Sequence, residues 1–338
     1  MKKYLCTLIF ITCLPLLIGC GGKSAGNRES SDYCTIATLK GPSALGMIKM
    51  IDSIKYHDRL YSENGVKKGI TIVILNEPLQ VRKMMIDGTA DFAILPMTTA
   101  AVLYNKGLDY RLAAVPIWGT FYLCGKDSTI KNWSNLRGRR IHLMAKGMTP
   151  DVLFRYLLKQ NGLDPDKDVK LDYSFPTHTA LTSAMAAGRV DIGVLTEPFV
   201  SMVLSKNKSL HALLDLNAEW KKACGTPIAE TAFVGNGKFM KNHPELTGKI
   251  LRIYSKSTDW VNNNPDSAAF LTAKYGILAD STVARVAIPR CNLKFVKASE
   301  VRKEVNDYLK IFYNMNPDIT GGKIPDEKFY MSADKQLK

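Results

Sequence analysis

Two segments lying one hundred positions apart carry nearly the same text, and they restrict the fold more than anything else in the chain. The first runs Asp87-Gly-Thr-Ala-Asp-Phe-Ala-Ile-Leu-Pro96 and the second Ala187-Gly-Arg-Val-Asp-Ile-Gly-Val-Leu-Thr-Glu-Pro198. Each places a glycine, an aspartate three positions on, a short apolar run and a proline in the same order. A helix that stops at a glycine able to take the left-handed conformation, followed by a buried strand that ends at a proline, accounts for that order. Upstream, Lys40-Gly-Pro-Ser43 and Lys146-Gly-Met-Thr149 each follow an apolar stretch and open a helical one. Two copies of strand, Lys-Gly-x-Ser/Thr, helix, strand, helix, Gly-x-x-Asp, strand predict two similar α/β lobes.

A length of 338 residues suits two such cores, with 46% hydrophobic and 23% charged residues. The formal charge is +15, to which Lys2 and Lys3 contribute. No Lys/Arg block interleaved with aromatics accompanies it, so nucleic acid is excluded as a partner.

The opening residues read as a targeting device. Met1-Lys-Lys is a positive start, and Leu5–Ile18 is apolar but short and broken by Pro15. Leu17-Ile-Gly-Cys20 resembles the bacterial lipobox, which implies cleavage before Cys20 and lipidation of its thiol. Residues 1–19 are then a signal peptide and residues 20–32 a flexible polar tether. The protein is expected at a cell membrane, lipid-anchored and facing the periplasm or cell exterior; no later run is apolar enough to span. Cys34, Cys124, Cys224 and Cys291 remain, with no metal or redox spacing. Free buried thiols are the default reading, and a Cys124–Cys224 bridge is the alternative should the two connections between lobes run side by side.

The first lobe is expected from residues 33–118 plus 226–338, the second from 119–225. Strand 33–39 leads to helix 43–55, with Pro42 in its first turn and Ser43 as N-cap. Strand 69–75, helix 79–86 and strand 91–95 follow, then a helix capped by Thr98. Residues 110–125 read as one extended crossing between lobes. In the second lobe strand 141–145 precedes helix 150–161, for which Thr149 as cap, Pro150, Asp151 and Gly162 are separate signals. Strand 169–174, helix 179–187 and strand 190–195 complete the repeat. Residues 220–234 read as a loop and a second crossing, and 244–263, 265–275, 281–287 and 299–315 as amphipathic helices that pack on the first lobe.

In parallel α/β units ligands gather at the carboxyl ends of the strands. The loops there hold Lys40, Gly41, Pro42 and Ser43; Met97, Thr98 and Thr99; Gly147, Met148 and Thr149 behind Lys146; and Glu197 and Phe199. Helix N-termini and the Ser and Thr hydroxyls offer donors to carboxylate, sulfonate, nitrate or phosphate oxygens. Glu197 either meets a ligand amine or holds N–H groups of its own loop. Trp118 either walls the cleft or packs in the core, and His178 is expected at the surface. The five histidines are scattered, and no hydrolase, zincin, phosphate-loop or dinucleotide motif occurs. Chemistry and cofactors are therefore not expected.

The Gly-x-x-Asp runs, Thr196-Glu-Pro-Phe199, Asn135-Leu-Arg-Gly-Arg-Arg-Ile141 (the family's "DLKGKKI") and Asn161-Gly-Leu-Asp-Pro165 together resemble the nitrate/sulfonate/taurine-type (NMT1/THI5-like) substrate-binding proteins of ABC importers, over roughly residues 33–275. That resemblance implies a two-lobed type II periplasmic-binding fold with a two-strand hinge, a small-molecule ligand clamped between the lobes, a monomer, and an ABC permease as partner. A thiamin-pyrimidine synthase of the same superfamily carries a cysteine-rich iron motif that is absent here. Menaquinone-pathway enzymes of the same fold are the runner-up, and a planar heterocycle on Trp118 is the alternative to an anionic ligand.

Overall fold

The structure, a computed structural model, describes residues 33–57, 61–63 and 66–332. The expected signal peptide, Cys20 and the tether lie outside the described residues. From its start the described chain runs through β1 (Tyr33–Leu39), α1 (Pro42–Gly46), α2 (Ile48–His57), β2 (Tyr61–Glu63), β3 (Val66–Leu75), α3 (Pro78–Ile86), β4 (Phe92–Pro96), α4 (Met97–Asn105) and β5 (Tyr110–Ile117). Next come β6 (Phe121–Gly125), β7 (Arg140–His142), α5 (Thr149–Gln160), β8 (Lys170–Asp172), α6 (His178–Ala186), β9 (Ile192–Thr196), α7 (Phe199–Lys206), β10 (His211–Asp215) and α8 (Leu216–Cys224). The remainder is β11 (Thr231–Asn236), α9 (Gly237–Asn242), α10 (Pro244–Asn263), α11 (Pro265–Lys274), α12 (Ser281–Ala287), β12 (Leu293–Lys297) and α13 (Arg302–Met315).

The strands form two sheets, one ordered β12-β5-β11-β4-β1-β3-β2 and the other β10-β6-β9-β7-β8. Parallel pairing joins β1 to β3 and β4 in the first, and β7 to β8 and β9 in the second. This is the two-lobed type II architecture. The echoed glycines do what their positions require: Gly88 (φ +65°) and Gly188 (φ +73°) both take the left-handed conformation just beyond α3 and α6. The echoed aspartates diverge. Asp91 accepts the Thr35 N–H at 2.8 Å, whereas Asp191 pairs with Lys126 at 2.7 Å.

Several expected boundaries change. Helix 43–55 is two helices, α1 and α2, divided at Met47. The crossing at 110–125 is not one extended run: β5 belongs to the first sheet and β6 to the second, with Trp118, Gly119 and Thr120 between them. Residues 220–224 are helical because Asp215 caps α8 through its carboxylate and Gly225 (φ +73°) ends it.

Nor do the C-terminal helices all rest on the first sheet's side. The α10 and α11 helices pack on α2, but α12 also meets α7, and α13 lies against both α4 and α5. An aromatic cluster forms where α5, α8 and α13 converge: Trp220, fully buried, lies 5.3 Å from Tyr156, 5.7 Å from Tyr308 and 5.9 Å from Phe312. Large buried rings of this kind each contribute about 1.5–3 kcal/mol. The last helix therefore bridges α4, which follows the first sheet's β4, and α5, which follows the second sheet's β7.

No disulfide joins Cys124 to Cys224, and Cys124, Cys224 and Cys291 carry free thiols. Cys124 is buried in β6, while Cys224 ends α8 and reaches the Tyr156 hydroxyl at 3.7 Å. Burial pushes the Cys124 thiol up to about 12.

Candidate ligand-binding cleft

The loops following β1, β4, β7 and β9 meet between the sheets. Gly41 is needed at the first of them, because its φ of +113° is closed to residues with a side chain. It also faces the opposite lobe, where a Cβ added to it would lie 3.8 Å from Pro198 Cδ. Pro42 then starts α1, and Ser43 is buried inside that helix rather than capping it. Lys40 is exposed at the rim.

Thr98 and Thr149 are likewise not caps. Pro96 and Met148 occupy the cap positions of α4 and α5 without donating a side chain, so both threonines fall within the first turns. Their hydroxyls are thereby free of capping and meet one another at 2.9 Å, both residues being buried. Two helix N-termini, each carrying a partial positive charge, are thus brought together from different sheets. Met97 is buried, its N–H donating to the Glu230 carbonyl at 2.9 Å, and Thr99 is half-buried.

The loop before α5 contains two left-handed residues, Ala145 (φ +52°) and Gly147 (φ +77°). A left-handed alanine costs on the order of 1 kcal/mol. Asp151 holds this loop in place. Its carboxylate accepts from Gly147 N at 2.7 Å, Arg155 Nε at 2.9 Å and the Tyr173 hydroxyl at 2.6 Å. Exposed Lys146 lies 5.4 Å from the centre of the Tyr173 ring, and Met148 is 52% exposed.

Glu197 is fully buried, and its carboxylate serves two partners. Oε2 accepts the Ser201 N–H at 3.1 Å, fulfilling the expectation that it holds its own loop. Oε1 lies 2.9 Å from Arg290 Nε without an aligned hydrogen bond, an ion pair that crosses from one sheet's loops to the other's. The Arg290 guanidinium also covers the Tyr122 ring at 4.5 Å. Burial pushes the Glu197 carboxyl above the usual range, and Arg290 opposes that.

His178 is not the surface residue expected. Its ring stacks on Phe199 at 4.9 Å and 12°, and Nδ1 lies 3.3 Å from the Thr196 hydroxyl. Desolvation pushes it down to about 4, so it is neutral near physiological pH.

At the hinge the Thr120 hydroxyl lies 3.0 Å from each Glu230 carboxylate oxygen, and the Thr120 carbonyl accepts the Glu197 N–H at 2.9 Å. Glu230 in turn donates its N–H to Ile117. Burial pushes its carboxyl up to about 7. Trp118 stands beside this knot, half-buried, with its indole N–H given to the Lys294 carbonyl at 2.8 Å.

The structure thus gathers Gly41, Thr98, Thr149 and Glu197 between the sheets and leaves Lys40 and Met148 at the rim. Arg290, Glu230 and Thr120 were not singled out from the sequence, since no local pattern marks them. Asp151 was legible only as a first-turn acid. Among the described residues no group of His, Cys, Asp or Glu is arranged to hold a metal ion, and no helix is long and apolar enough to cross a membrane.

Comparisons with known proteins agree with this architecture. An ABC transporter structure from Parabacteroides distasonis superposes with a TM-score of 0.76 at 28% identity, covering 89% of this chain and 99% of that one. The periplasmic aliphatic sulphonate binding protein SsuA from Escherichia coli gives 0.70 at 17% identity, covering 90% of this chain and 93% of that one, which shows the shared fold. The nitrate/nitrite binding protein NrtA of Nostoc sp. is 24% identical over 143 residues, 42% of this chain and 26% of that protein. The chain spans less than half the length of the curated relatives it matches. Residues 60–268 match the family model described as NMT1/THI5 like, more than half of the chain, and the protein belongs to that family.

Proposed function

We propose that this protein is an extracytoplasmic, lipid-anchored solute-binding protein that delivers a small anionic solute to an ABC importer and performs no chemistry on it. The observation that carries the reading is the meeting of Thr98 and Thr149 at 2.9 Å, which sets the first turns of α4 and α5 against each other. Neither hydroxyl is spent on a cap, and two positive helix ends facing one another are most stable with negative charge between them. The buried Thr38 and Thr231 hydroxyls, at the end of β1 and the start of β11, make no hydrogen bond, as expected of donors kept for a ligand.

Binding works by hinge closure. A solute that touches both threonines has most of its contacts only when the lobes are together, so it stabilises the closed form by that differential affinity. The closed form is then what a membrane permease recognises. The relatives' names, a nitrate/nitrite binding protein and a sulphonate binding protein, fit an anionic solute. The sequence supports the anchor through Leu17–Cys20 and the polar tether after it.

Thermal-shift screening with nitrate, ethanesulfonate, simple carboxylates and pyrimidines tests this. Stabilisation by members of the anion set is expected, since any ligand that binds only the folded state raises the midpoint. Stabilisation by pyrimidines with none by any anion would overturn the anionic solute.

A further inference from the structure

The first sheet has two ends, and the cleft uses only one. Strands β1, β3 and β4 run towards the cleft loops, and β11 runs back from Thr231 beside Pro96 to Gly235 beside Phe92. The other end therefore gathers the start of β1 at Tyr33, the start of β5 at Tyr110 and the end of β11 at Asn236, which pairs with Tyr110. Only β4 separates β11 from β1, so two strand spacings, about 10 Å, lie between them.

This end holds a pocket of about 690 Å³ with a basic lining. Arg111, Lys238, Lys241, Arg302 and Lys328 stand there against two acids, Asp109 and Glu327, a net of +3. Both acids are taken, Asp109 by Arg111 at 2.7 Å and Glu327 by Arg302. Asp326, outside the lining, draws on Lys328 and accepts the Tyr104 hydroxyl. Lys238 and Lys241 are exposed, three positions apart on one face of α9, and among the described residues no acid is within ion-pair distance of either. Buried Met240, Tyr330 and Met331 supply an apolar side to the same pocket. Two uncompensated cations beside an apolar wall suit a phosphate that carries a hydrocarbon part.

The chain ahead of β1 decides what this end faces. Cys20 precedes Tyr33 by thirteen residues, a reach of at most about 45 Å. Tyr33 itself is 52% exposed, and a tyrosine with an apolar body and a polar tip fits a bilayer interface. We propose that this pocket is a docking site for the phosphate headgroups of anionic membrane lipid, with Lys238 and Lys241 as the contacting cations. The docking rests on the lipid anchor proposed at Cys20. With this end on the bilayer, the cleft at the other end of the same strands faces solution and is open to solute. A few exposed cations, screened by salt, make the contact reversible, so the protein can turn to meet a permease.

The acylated chain, purified in detergent, is reconstituted on vesicles of phosphatidylcholine alone or mixed with phosphatidylglycerol. Its lysines are then acetylated with a membrane-impermeant reagent and read by mass spectrometry. On the anionic vesicles Lys238, Lys241 and Lys328 are expected to react about fivefold slower or more than on phosphatidylcholine, and added salt abolishes the difference. Lys40 and Lys146, at the cleft rim, keep their rates. The double substitution Lys238→Glu/Lys241→Glu alters two exposed side chains, leaves the fold intact and removes the protection of Lys328. Equal rates on the two compositions, equal slowing of Lys40 and Lys146, or protection of Lys328 that survives the double substitution overturns the docking and leaves the anchor standing. Slowing by glycerol phosphate in solution, without vesicles, makes the pocket a soluble-anion site and likewise overturns it. A chain that stays with neither kind of vesicle removes the anchor, and the docking falls with it.

Discussion

The hydroxyls of Thr98 and Thr149, 2.9 Å apart, join the first turns of two helices that begin from different sheets. Both residues lie one or two positions inside their helices, so neither hydroxyl caps its own backbone. The bond between them therefore joins helices that follow different sheets and belongs to neither helix alone.

That relationship has an energetic signature. Thr98→Val and Thr149→Val each leave one buried hydroxyl without its partner, at a cost of about 1–3 kcal/mol, whereas the double substitution removes both and recovers part of the loss. Denaturant unfolding of the two single variants and the double variant measures the coupling. Strictly additive losses would show that the two hydroxyls do not interact in solution.

The ion pair of Glu197 with Arg290 closes the same gap. Arg290→Met leaves a fully buried carboxylate without its cation. The expected loss is about 2 kcal/mol, less than the ~3–5 of a wholly buried pair because the guanidinium is partly exposed. Glu197 already has a raised carboxyl pKa, and losing Arg290 raises it further. The deficit measured at pH 8 should accordingly shrink at pH 5, where the acid takes up a proton; a deficit independent of pH would rule the ion pair out as its origin.

Glu230 gives the chain a second pH dependence. Its carboxyl stands at about 7 against an ordinary 4.5, so between those values the folded state holds more of the proton than the unfolded state does. Stability from this group is complete below pH 4.5 and is lost as pH rises towards 7, with a slope of up to about 1.4 kcal/mol per pH unit. His178 acts in the opposite sense, its lowered pKa removing stability as pH falls below its ordinary 6.5. The difference between wild type and Glu230→Gln isolates the first effect: the wild type loses its advantage as pH rises. A difference that stays flat with pH contradicts the assignment.

Trp220 sits where α5, α8 and α13 converge. Replacing this fully buried indole by alanine removes contacts with Tyr156, Tyr308 and Phe312 at once. A loss of about 3–5 kcal/mol in denaturant unfolding is expected. A change below about 1 kcal/mol would mean that α8 and α13 are not joined through this ring.

Local chemistry made much of this fold legible. Pro244 and the Asn-Pro step before Pro265 bound α10 and α11, and Pro150, Asp151 and Gly162 mark α5, because these residues act on the backbone within one turn. The β10 and β12 strands were missed for the same reason. Both lie at sheet edges, β10 is largely exposed and β12 only partly buried, and neither shows the alternation or apolar run of a core strand. In the cleft, Thr149 beyond Gly147 and Thr98 beyond Pro96 mark the starts of α5 and α4, but the cap positions belong to Met148 and Pro96, one and two residues earlier. Arg290 reaches Glu197 and Thr120 reaches Glu230 only through tertiary folding, and nothing in the neighbouring sequence announces either contact.

We propose that the cleft beside Thr98 and Thr149 holds a small solute. Mass spectrometry of material released on denaturing the natively purified protein tests it most directly, with the Thr98→Val/Thr149→Val double variant purified in parallel. A small anionic solute recovered from the wild type in near-equimolar amount, and strongly depleted from the double variant, is the predicted result. The same solute recovered equally from both would place its binding elsewhere and contradict the account.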